Sequence, residues 1–361
     1  MASGLEGEFQ VLHEFVTSAK RKLAVEYWDY LVGGTETETS LRRNRLALDS
    51  IAFRPRVLND VTRIDPSSTI FGRKIALPVM LAPIGSLESF DPGGGVTVAR
   101  GAGAANVPML ISSVTTLRLE DIVAGGGGPK IYQLYVRGDD DWVSDRVSQA
   151  MDAGYDAFCI TVDTQVYSRR ERDIARRFVK SWRTAATGHD WQAGFAWKNF
   201  AAVRKRHPSV KFLLKGIATH EDATRAVEEG VFAVYVSNHG GRQLDHGRGS
   251  IEVLPEVVKA VAGRAHVAID GGFCRGSDVV KAIALGADWV GLGRLFCYAL
   301  AARGAAGIER MAELLGEEMR EVMGLLGVST LAELGPQHLH PAIPTNLPHV
   351  HSAFPLLAEG Y

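Results

Sequence analysis

The chain has 361 residues, a formal net charge of −1 at pH 7 and 46% hydrophobic residues. This length allows one large barrel or two smaller domains, and the balanced charge gives no electrostatic reason to expect nucleic acid as a partner. The three cysteines, Cys159, Cys274 and Cys297, lack a C-x-x-C spacing, which argues against a disulfide framework or a zinc site and suits a reducing compartment such as the cytoplasm.

The sequence gives no reason to expect secretion or a membrane anchor. Its first ten residues, M-A-S-G-L-E-G-E-F-Q, do not combine a basic region with an apolar one, so we expect no signal peptide. Apolar runs of 18 residues are absent, so we expect no stable membrane anchor.

Residues 8–50 are predicted to form a helical lead-in. Phe9, Leu12 and Phe15 recur at helical spacing, and the apolar stretch Leu23–Val32 continues the pattern until two glycines, Gly33 and Gly34, stop it. Tyr30 falls in the last turn before these glycines. It is either a core aromatic or a residue whose hydroxyl points into a cleft.

Eight short apolar runs follow, separated by stretches with helical periodicity. Strand, helix and strand repeated in this way predict a parallel sheet, and eight units in about 220 residues fit a closed (β/α)8 TIM barrel over about residues 75–326. A G-x-G-x-x-G motif is missing after the first run, which disfavours a dinucleotide-binding open sheet. The predicted strands are Leu77–Ala82, Val107–Ser112, Ile131–Val136, Ala157–Val162, Phe212–Lys215, Ala233–Ser237, Val267–Ile269 and Trp289–Leu292. The predicted helices include Gly95–Ala105, Trp142–Ala153, Glu221–Glu229, Ser277–Leu285 and Ala305–Leu326.

Two segments lie outside this repeat. The interval between the fourth and fifth strands is about twice as long as the others, which is typical of a lid or mobile loop. Its basic residues, Arg176, Arg177, Lys180 and Arg183, indicate a solvated helix face rather than a membrane contact. Residues 336–361 contain five prolines and four histidines and are interpreted as an extended arm of a single-domain protein, without a metal site.

The stretch V-S-N-H-G-G-R-Q-L-D, residues 236–245, carries the chemistry. The run Phe232–Val236 reads as a buried strand, and Gly240 and Gly241 break it, leaving His239 and Arg242 at its end. A histidine moves protons near neutral pH, and an arginine three residues away can hold an anionic substrate. Taken alone, the same residues could form an ordinary surface turn.

A barrel of this kind places its active site at the C-terminal ends of the strands. That rule brings one histidine, one aspartate, one lysine, one tyrosine and several arginines to a single rim, which suits an anionic substrate and an anionic cofactor. Strands seven and eight are followed by Asp270-Gly271-Gly272 and Gly291-Leu292-Gly293-Arg294. Either glycine pair could be a tight turn, but two pairs on adjacent strands, each with an arginine nearby, favour a phosphate site.

These residues resemble the FMN-dependent 2-hydroxy acid oxidase and dehydrogenase family, which includes glycolate oxidase, lactate oxidase and mandelate dehydrogenase. The motifs S-N-H-G-G-R-Q-L-D, Y-Q-L-Y, T-V-D-T, L-K-G-I and D-G-G stand in family order between about residues 27 and 334. The resemblance implies a (β/α)8 barrel that carries FMN, oxidises a 2-hydroxy acid and assembles as a homotetramer.

The resemblance also implies a role for each matching residue. His239 is expected to be the catalytic base, Asp163 its stabilising carboxylate, and Tyr135 the hydrogen-bond partner of the substrate hydroxyl. The expected substrate carboxylate clamp is Tyr30, Arg170 and Arg242. Lys215 is expected beside the flavin N1–O2 edge, where it stabilises negative charge. The remaining expected cofactor contacts are Pro83, Ile84, Gly85, Ser112, Gln133, Thr161 and Ser237 near the ring, and Asp270, Gly271, Gly272, Arg275, Gly293 and Arg294 near the ribityl phosphate.

Four positions depart from the family pattern. Cys274 takes the first place of an arginine pair after D-G-G and leaves Arg275 in the second, Gln165 replaces a common proline, and Ile84-Gly85 replaces a threonine-alanine pair. The loop after the fourth strand also lacks the long insertion of membrane-bound members. The Cys274 departure puts one phosphate contact in doubt and predicts weaker FMN retention.

We expect an oxidase of (S)-2-hydroxy acids with oxygen as the electron acceptor. The alternatives are a dehydrogenase that passes electrons to a quinone or a protein, an FMN-dependent isomerase on a related barrel, and a non-catalytic flavin-binding protein. Gly85 and Val114 are smaller than the residues common at these places, so we expect a medium-to-large or aromatic substrate side chain. Phe90 or Tyr167 could instead refill that space.

Overall fold

The computed structural model describes residues 4–178 and 188–360. Eight parallel strands form a closed barrel, in which each strand pairs with the next along the chain and the last strand pairs with the first. The short strands that precede the barrel are β1 (Ile51–Phe53), β2 (Ser68–Ile70) and β3 (Arg73–Ile75). The barrel strands are β4 (Val79–Leu81), β5 (Met109–Ser112), β6 (Lys130–Leu134), β7 (Ala157–Thr161), β8 (Phe212–Ile217), β9 (Ala233–Val236), β10 (His266–Ile269) and β11 (Trp289–Leu292).

The predicted (β/α)8 barrel is confirmed. All eight predicted strands are present, and their ends differ from the predicted ends by at most two residues. The strands are buried on both faces because side chains fill the barrel interior on one side and helices cover the other. Met80, Leu110 and Trp289 belong to the inner cluster. This two-sided burial explains why the strands read as continuous apolar runs in the sequence.

Helices surround the barrel and precede it. The lead-in forms three helices, and the prediction for residues 8–50 holds except that the second helix begins at Val25 rather than Leu23. The helices are α1 (Leu12–Lys22), α2 (Val25–Val32), α3 (Thr39–Asp49), α4 (Gly94–Ala104), α5 (Leu119–Ala124), α6 (Asp140–Asp152), α7 (Glu171–Ala175), α8 (His189–Gly194), α9 (Trp197–Arg206), α10 (His220–Glu228), α11 (Ser250–Val261), α12 (Gly276–Ala284) and α13 (Arg294–Leu326).

The last helix corrects one prediction. It begins at Arg294, eleven residues before the predicted start at Ala305, and a local break at Arg303 and Gly304 interrupts its helical backbone. Gly304 has φ +57° and ψ −135°, which is an accessible conformation for glycine. The first part, Leu295–Ala302, is buried all round and therefore lacks the one-sided periodicity by which the second part was recognised.

The interval between β7 and β8 contains α7, α8 and α9 in its described part. Of the basic cluster in this interval, Arg176 pairs with Asp29 of α2 through Nε and Oδ2 at 2.7 Å, and Arg177 donates to the carbonyl oxygen of Ala175. Lys180 and Arg183 lie outside the described residues. The contact with α2 ties the start of the long interval to the lead-in.

The C-terminal arm is extended but packs against the domain. Residues Leu339–Pro341 form β12, which pairs antiparallel with β1, and Phe354 is buried against the ring of His13. The arm also contains two short 3-10 turns, Pro336–His338 directly before β12 and Pro355–Glu359 near its end. In the part of the chain that the structure describes, none of the helices is long and apolar enough to cross a membrane.

Candidate active site

A cavity of about 350 Å³ lies at the C-terminal ends of the barrel strands. Its wall brings together most of the residues that the sequence singled out. These are Tyr30, Pro83, Ile84, Gly85, Tyr135, Arg170, Lys215, His239, Arg242, Asp270, Gly271, Gly272, Gly293 and Arg294. The strand ends that the barrel rule selects therefore surround one cavity.

His239 is held between a carboxylate and a phenol. Its Nδ1 lies 3.0 Å from Oδ1 of Asp163, and its Nε2 lies 3.3 Å from the hydroxyl of Tyr135. Because an ionised carboxylate can only accept a hydrogen bond, Nδ1 carries the proton and donates a hydrogen bond to Asp163. The lone pair of Nε2 is then available as a base next to Tyr135.

Burial sets the charge states of this pair. Burial lowers the pKa of His239, and the carboxylate of Asp163 opposes that shift only in part. For Asp163, burial by itself raises the pKa, but the neighbouring His239 and Lys215 outweigh it, so the pKa falls below its usual value. His239 is therefore neutral and Asp163 ionised near pH 7, the states that a base and its supporting carboxylate require.

The turn after β9 depends on residues with positive φ. His239, Gly240 and Gly241 have φ values of +57°, +65° and +75°. A Cβ on Gly241 would lie 2.5 Å from the Cα of Leu41 in α3, so this glycine is needed where the turn meets the lead-in helix. The double glycine thus places His239 over the barrel.

Two arginines make an anion site beside the base. Nη1 of Arg242 donates to the carbonyl oxygens of Tyr30 at 2.6 Å and Gly33 at 2.7 Å, and its guanidinium lies 4.6 Å from the centre of the Tyr30 ring. Nη2 of Arg242 is buried and has no partner among the described residues. Burial, helped by the nearby charge of Arg170, lowers the pKa of Arg242 to about 10. A bound carboxylate would supply both the missing acceptor and the missing negative charge.

Lys215 lies beneath the cavity in a buried network. Its Nζ donates to Oγ of Ser237 at 2.9 Å and pairs with Oδ2 of Asp270 at 3.1 Å, and Ser237 in turn donates to Oδ1 of Asp270 at 2.5 Å. Burial alone would lower the pKa of Lys215, but Asp270 and Asp163 raise it above its ordinary value. A permanent positive charge is thus fixed in the cavity floor.

Four predicted ring contacts lie one layer deeper than expected. Ser112, Gln133, Thr161 and Ser237 are almost fully buried and do not form part of the cavity wall. Nε2 of Gln133 donates to Oγ1 of Thr161 at 2.9 Å, whereas its Oε1 is buried without a partner among the described residues. An unpaired acceptor just below the cavity suits a ligand with an N–H edge, such as an isoalloxazine ring. The donor set in the floor and wall therefore fits FMN.

The phosphate end of the cavity departs from the sequence prediction at one residue. Arg275 is not in the cavity wall, because its guanidinium pairs with Glu318 through Nη2 and Oε1 at 2.6 Å and donates to the carbonyl oxygen of Ala353. The position of Arg275 therefore gives no support to the predicted contact with a cofactor phosphate, which stays a prediction. Cys274 occupies the wall instead, as an uncharged side chain.

Arg294, Gly271 and Gly272 lie in the wall at the predicted phosphate end of the cavity. Nη2 of Arg294 donates to the carbonyl oxygen of Gly33 at 2.8 Å, and Nη1 donates to that of Gly240 at 3.1 Å. Gly271 and Gly272 lie in the wall with φ values of +115° and +88°, a backbone conformation that favours glycine. These features agree with a site for an anionic group.

Sequence reasoning missed a group of wall residues that come from outside the barrel repeat. Asn44 and Arg45 of α3 reach the rim, where Asn44 exchanges amide hydrogen bonds with Asn238 and Arg45 donates to the carbonyl oxygen of Gly272 at 2.8 Å. Arg45 also pairs with Asp278 at 2.8 Å. Val350 of the C-terminal arm lies in the wall as well. The sequence around these residues indicates only a helix or a loop. It carries no local sign that they reach the wall of the cavity.

The geometry defines a base supported by a carboxylate, an arginine clamp for an anion and a buried cation beneath a cofactor-sized space. Residues 19–341 match the sequence profile of a family described as FMN-dependent dehydrogenase. The chain belongs to the FMN-dependent dehydrogenase family. The match confirms the predicted family and the predicted FMN dependence.

Individual relatives agree with this assignment. The chain is 41% identical over 344 residues to 4-hydroxymandelate oxidase of Amycolatopsis orientalis, which covers 89% of this chain and 95% of that protein. It is 39% identical over 354 residues to glycolate oxidase of Spinacia oleracea, covering 92% and 96% of the two chains. The crystal structure of mandelate oxidase with (S)-2-phenylpropionate superposes with a TM-score of 0.86 at 40% identity, over 94% of this chain and 100% of that one. Glycolate and 4-hydroxymandelate are both 2-hydroxy acids, so the predicted reaction class is confirmed at the level of the family.

Proposed function

We propose that this protein oxidises an (S)-2-hydroxy acid with a medium-to-large or aromatic side chain to the 2-oxo acid and passes the electrons to oxygen. The observation that carries the proposal is the position of His239. Its base nitrogen faces the cavity beside Tyr135, is oriented by Asp163, and shares the wall with Arg170 and Arg242.

Each side chain has a distinct task in this proposal. Arg242, with its unpaired Nη2, and Arg170 bind the substrate carboxylate together with Tyr30. Tyr135 keeps its proton, because burial raises its pKa, and orients the substrate hydroxyl. His239 accepts a proton from the substrate at Nε2, and Asp163 stabilises the imidazolium that results.

FMN, when bound, accepts the two electrons that leave the substrate. Lys215 in the cavity floor would hold the cofactor edge that becomes negative, and Gln133 would offer its buried Oε1 to the ring. The backbone of Pro83 to Gly85 would lie along the ring, and Gly272, Gly293 and Arg294 would hold the phosphate end.

The wall near Gly85 supports a side chain larger than that of glycolate. A Cβ on Gly85 would lie 3.1 Å from the Cβ of Val114, so Val114 already fills the place of a side chain at position 85, and the room for a larger substrate group depends on the small size of Val114 itself. Phe90 does not refill this space, because its ring stacks on Tyr30 at 6.4 Å and it is not part of the wall. Tyr167 is in the wall, but its ring lies under the guanidinium of Arg170 at 4.7 Å. Solved structures of mandelate oxidase include one with (S)-mandelic acid, which agrees with this substrate class and configuration.

One experiment tests substrate and acceptor together. The purified protein with bound FMN is mixed anaerobically with glycolate, lactate, 2-hydroxyoctanoate or mandelate, and the loss of flavin absorbance is followed before air is admitted. We expect fastest bleaching per unit concentration with mandelate or 2-hydroxyoctanoate, and rapid return of colour in air. Bleaching that air reverses only slowly would instead support the alternative acceptor, a quinone or a protein.

The setting of the enzyme is part of the proposal. We propose that it acts in the cytoplasm as a homotetramer. The family resemblance supports the tetramer, and three cysteines that form no disulfide suit a reducing compartment. Light scattering coupled to size-exclusion chromatography would test the tetramer, and cell fractionation would test the compartment.

A further inference from the structure

Gly216 interrupts the regular pairing of strand β8. Lys215 pairs with Tyr235 of β9, and Ile217 pairs with the next residue, Val236, so one extra residue is present on β8 at this point. Such a bulge bends the strand and redirects the neighbouring side chains. Gly216 has φ +113°, in the region that side-chain-bearing residues rarely adopt.

The α-carbon of Gly216 faces the catalytic carboxylate. A Cβ at this position would lie 2.7 Å from the Cβ of Asp163, 2.8 Å from its Cγ and 2.9 Å from its backbone nitrogen. These atoms are the root of the side chain and the main chain itself, and neither can swing aside as a flexible side-chain end can. A residue larger than glycine would therefore displace Asp163 as a whole.

Displacing Asp163 would act on His239. The Nδ1–Oδ1 contact of 3.0 Å fixes the orientation of the imidazole and leaves Nε2 facing Tyr135. Lys215, the neighbour of Gly216, is held separately by Ser237 and Asp270. The bulge therefore gives two adjacent residues different tasks. Lys215 lies in the cavity floor, whereas Gly216 leaves the space in which Asp163 lies.

We propose that Gly216 is a positioning residue for the catalytic pair. Its missing side chain sets the position of Asp163 and, through Asp163, the orientation of His239. This inference rests on the proposed function, in which His239 is the base.

The test compares Gly216→Ala with Gly154→Ala in the FMN-loaded protein. Gly154 has φ +95°, and a Cβ there would meet only Cγ1 of Val123 at 3.6 Å, so the control carries similar backbone strain without a contact at the site. Flavin content, melting temperature, the anaerobic reduction rate with mandelate and its pH dependence are measured for each. We expect similar FMN content in both variants and a loss of reduction rate of about 10²-fold or more in Gly216→Ala only, since that is the usual size of a general-base contribution.

Two readouts separate positioning from a general structural defect. The rate–pH profile of Gly216→Ala should move to lower pH, because the charge of Asp163 raises the pKa of His239. In an Asp163→Asn background, Gly216→Ala should cause little further loss, because both changes act through the same contact. Full additivity, or a rate within about threefold of the Gly154→Ala control, overturns the inference.

Folding and activity failures give separate answers. If Gly154→Ala folds and Gly216→Ala does not, the variant Asp163→Gly with Gly216→Ala should recover at least part of the folded protein, because it removes the Cβ and Cγ atoms and leaves only the 2.9 Å contact with the backbone nitrogen at position 163. No recovery relative to Gly216→Ala contradicts the inference. If the wild-type flavin is reduced by no 2-hydroxy acid, the proposed function fails, whereas an active wild type with an unaffected Gly216→Ala variant refutes only the positioning role.

Discussion

Nδ1 of His239 lies 3.0 Å from Oδ1 of Asp163, and this contact fixes which imidazole nitrogen can act as a base. The carboxylate accepts a hydrogen bond from Nδ1–H, so Nε2 has the free lone pair and faces Tyr135 in the cavity. Asp163 itself lies outside the cavity wall, whereas His239 forms part of it. In the proposed function the histidine would therefore meet the substrate, and the aspartate would act through the histidine.

Replacing His239 by Gln should abolish flavin reduction and leave FMN bound, because a general base lowers the barrier and does not hold the cofactor. We expect a fall of at least about 10²-fold in the anaerobic reduction rate, measured by stopped-flow absorbance with mandelate. His246→Gln is a matched control, since His246 also has φ +57° but is exposed. A His239→Gln variant that kept more than about a tenth of the wild-type rate would contradict the assignment.

The rate of reduction should rise with pH through the pKa of His239 and then level off. Burial places that pKa below the usual histidine value, and only the neutral imidazole can accept a proton, so the plateau should already be reached at neutral pH. In Asp163→Asn the carboxylate that raises the pKa is lost, so the inflection should move to lower pH while the plateau falls. The anaerobic rate of flavin reduction, measured from pH 5 to 9, checks both the position of the inflection and the height of the plateau. An inflection unchanged in Asp163→Asn would remove Asp163 from the mechanism.

Cys274→Arg should tighten FMN binding. Cys274 is buried in the wall at the phosphate end, and burial raises the pKa of its thiol to about 11, so the side chain offers no charge of either sign. An arginine there would add a fixed cation with a geometry suited to phosphate oxygens. Titration of the apoprotein with FMN, followed by flavin fluorescence, should give a lower Kd for the variant than for the wild type. Cys297→Ala is a control at a buried cysteine outside the wall, and a Kd unchanged by Cys274→Arg would show that the phosphate lies elsewhere.

The barrel and its rim were predictable because their signals are local and repeated. Each strand reads as a short apolar run, and most runs are followed by a polar or glycine-containing break, so the fold rule alone brings His239, Lys215 and Asp270 to one cavity. Resemblance to the family then supplied a role for each residue. The long helix α13 was only half recognised, because its first part is apolar on every side and carries no period.

Side-chain directions and long-range contacts were not predictable from the sequence. Arg275 stands next to the phosphate motif but pairs with Glu318, because that carboxylate lies 2.6 Å away on a helix 43 residues later. Asn44 reaches Asn238 across 194 residues, and no spacing rule links two such positions. Ser112 ends its strand and Gln133 lies within its strand as expected, yet both lie beneath the wall because depth is set by how the neighbouring strands pack.

The C-terminal arm should make stability depend on pH through His351. Nε2 of His351 lies 3.1 Å from the hydroxyl of Tyr298, and its ring stacks on Trp28. Burial, followed by the charges of His349, Arg294, Lys20 and Arg172, lowers its pKa from 6.5 to about 4. As pH falls, His351 becomes protonated near pH 6.5 in the unfolded chain but only near pH 4 in the folded chain. The unfolded chain therefore binds more protons between these values, and the folded state loses stability as pH falls through this window.

We expect the melting temperature of the wild type to fall more steeply between pH 6.5 and 4 than that of His351→Gln, whose amide stays neutral. His340→Gln, at an exposed position of the same arm, should behave as the wild type. Differential scanning fluorimetry at half-unit pH steps gives the comparison. Parallel curves for the wild type and His351→Gln would show that the arm does not confine this histidine.

Val114→Trp should shift the substrate preference towards glycolate. Val114 lies in the cavity wall and packs directly against Gly85, so a larger side chain there fills the space that a long or aromatic substrate side chain would occupy. One methylene contact in such a pocket discriminates by about 10- to 200-fold, so the ratio of kcat/KM for mandelate to that for glycolate should fall by at least about 10-fold. Val57→Trp, at an exposed valine outside the cavity, controls for the addition of an indole ring and should leave the ratio unchanged. An unaltered ratio in Val114→Trp would place the substrate side chain elsewhere, and fastest turnover of glycolate by the wild type would show that another residue already closes the pocket.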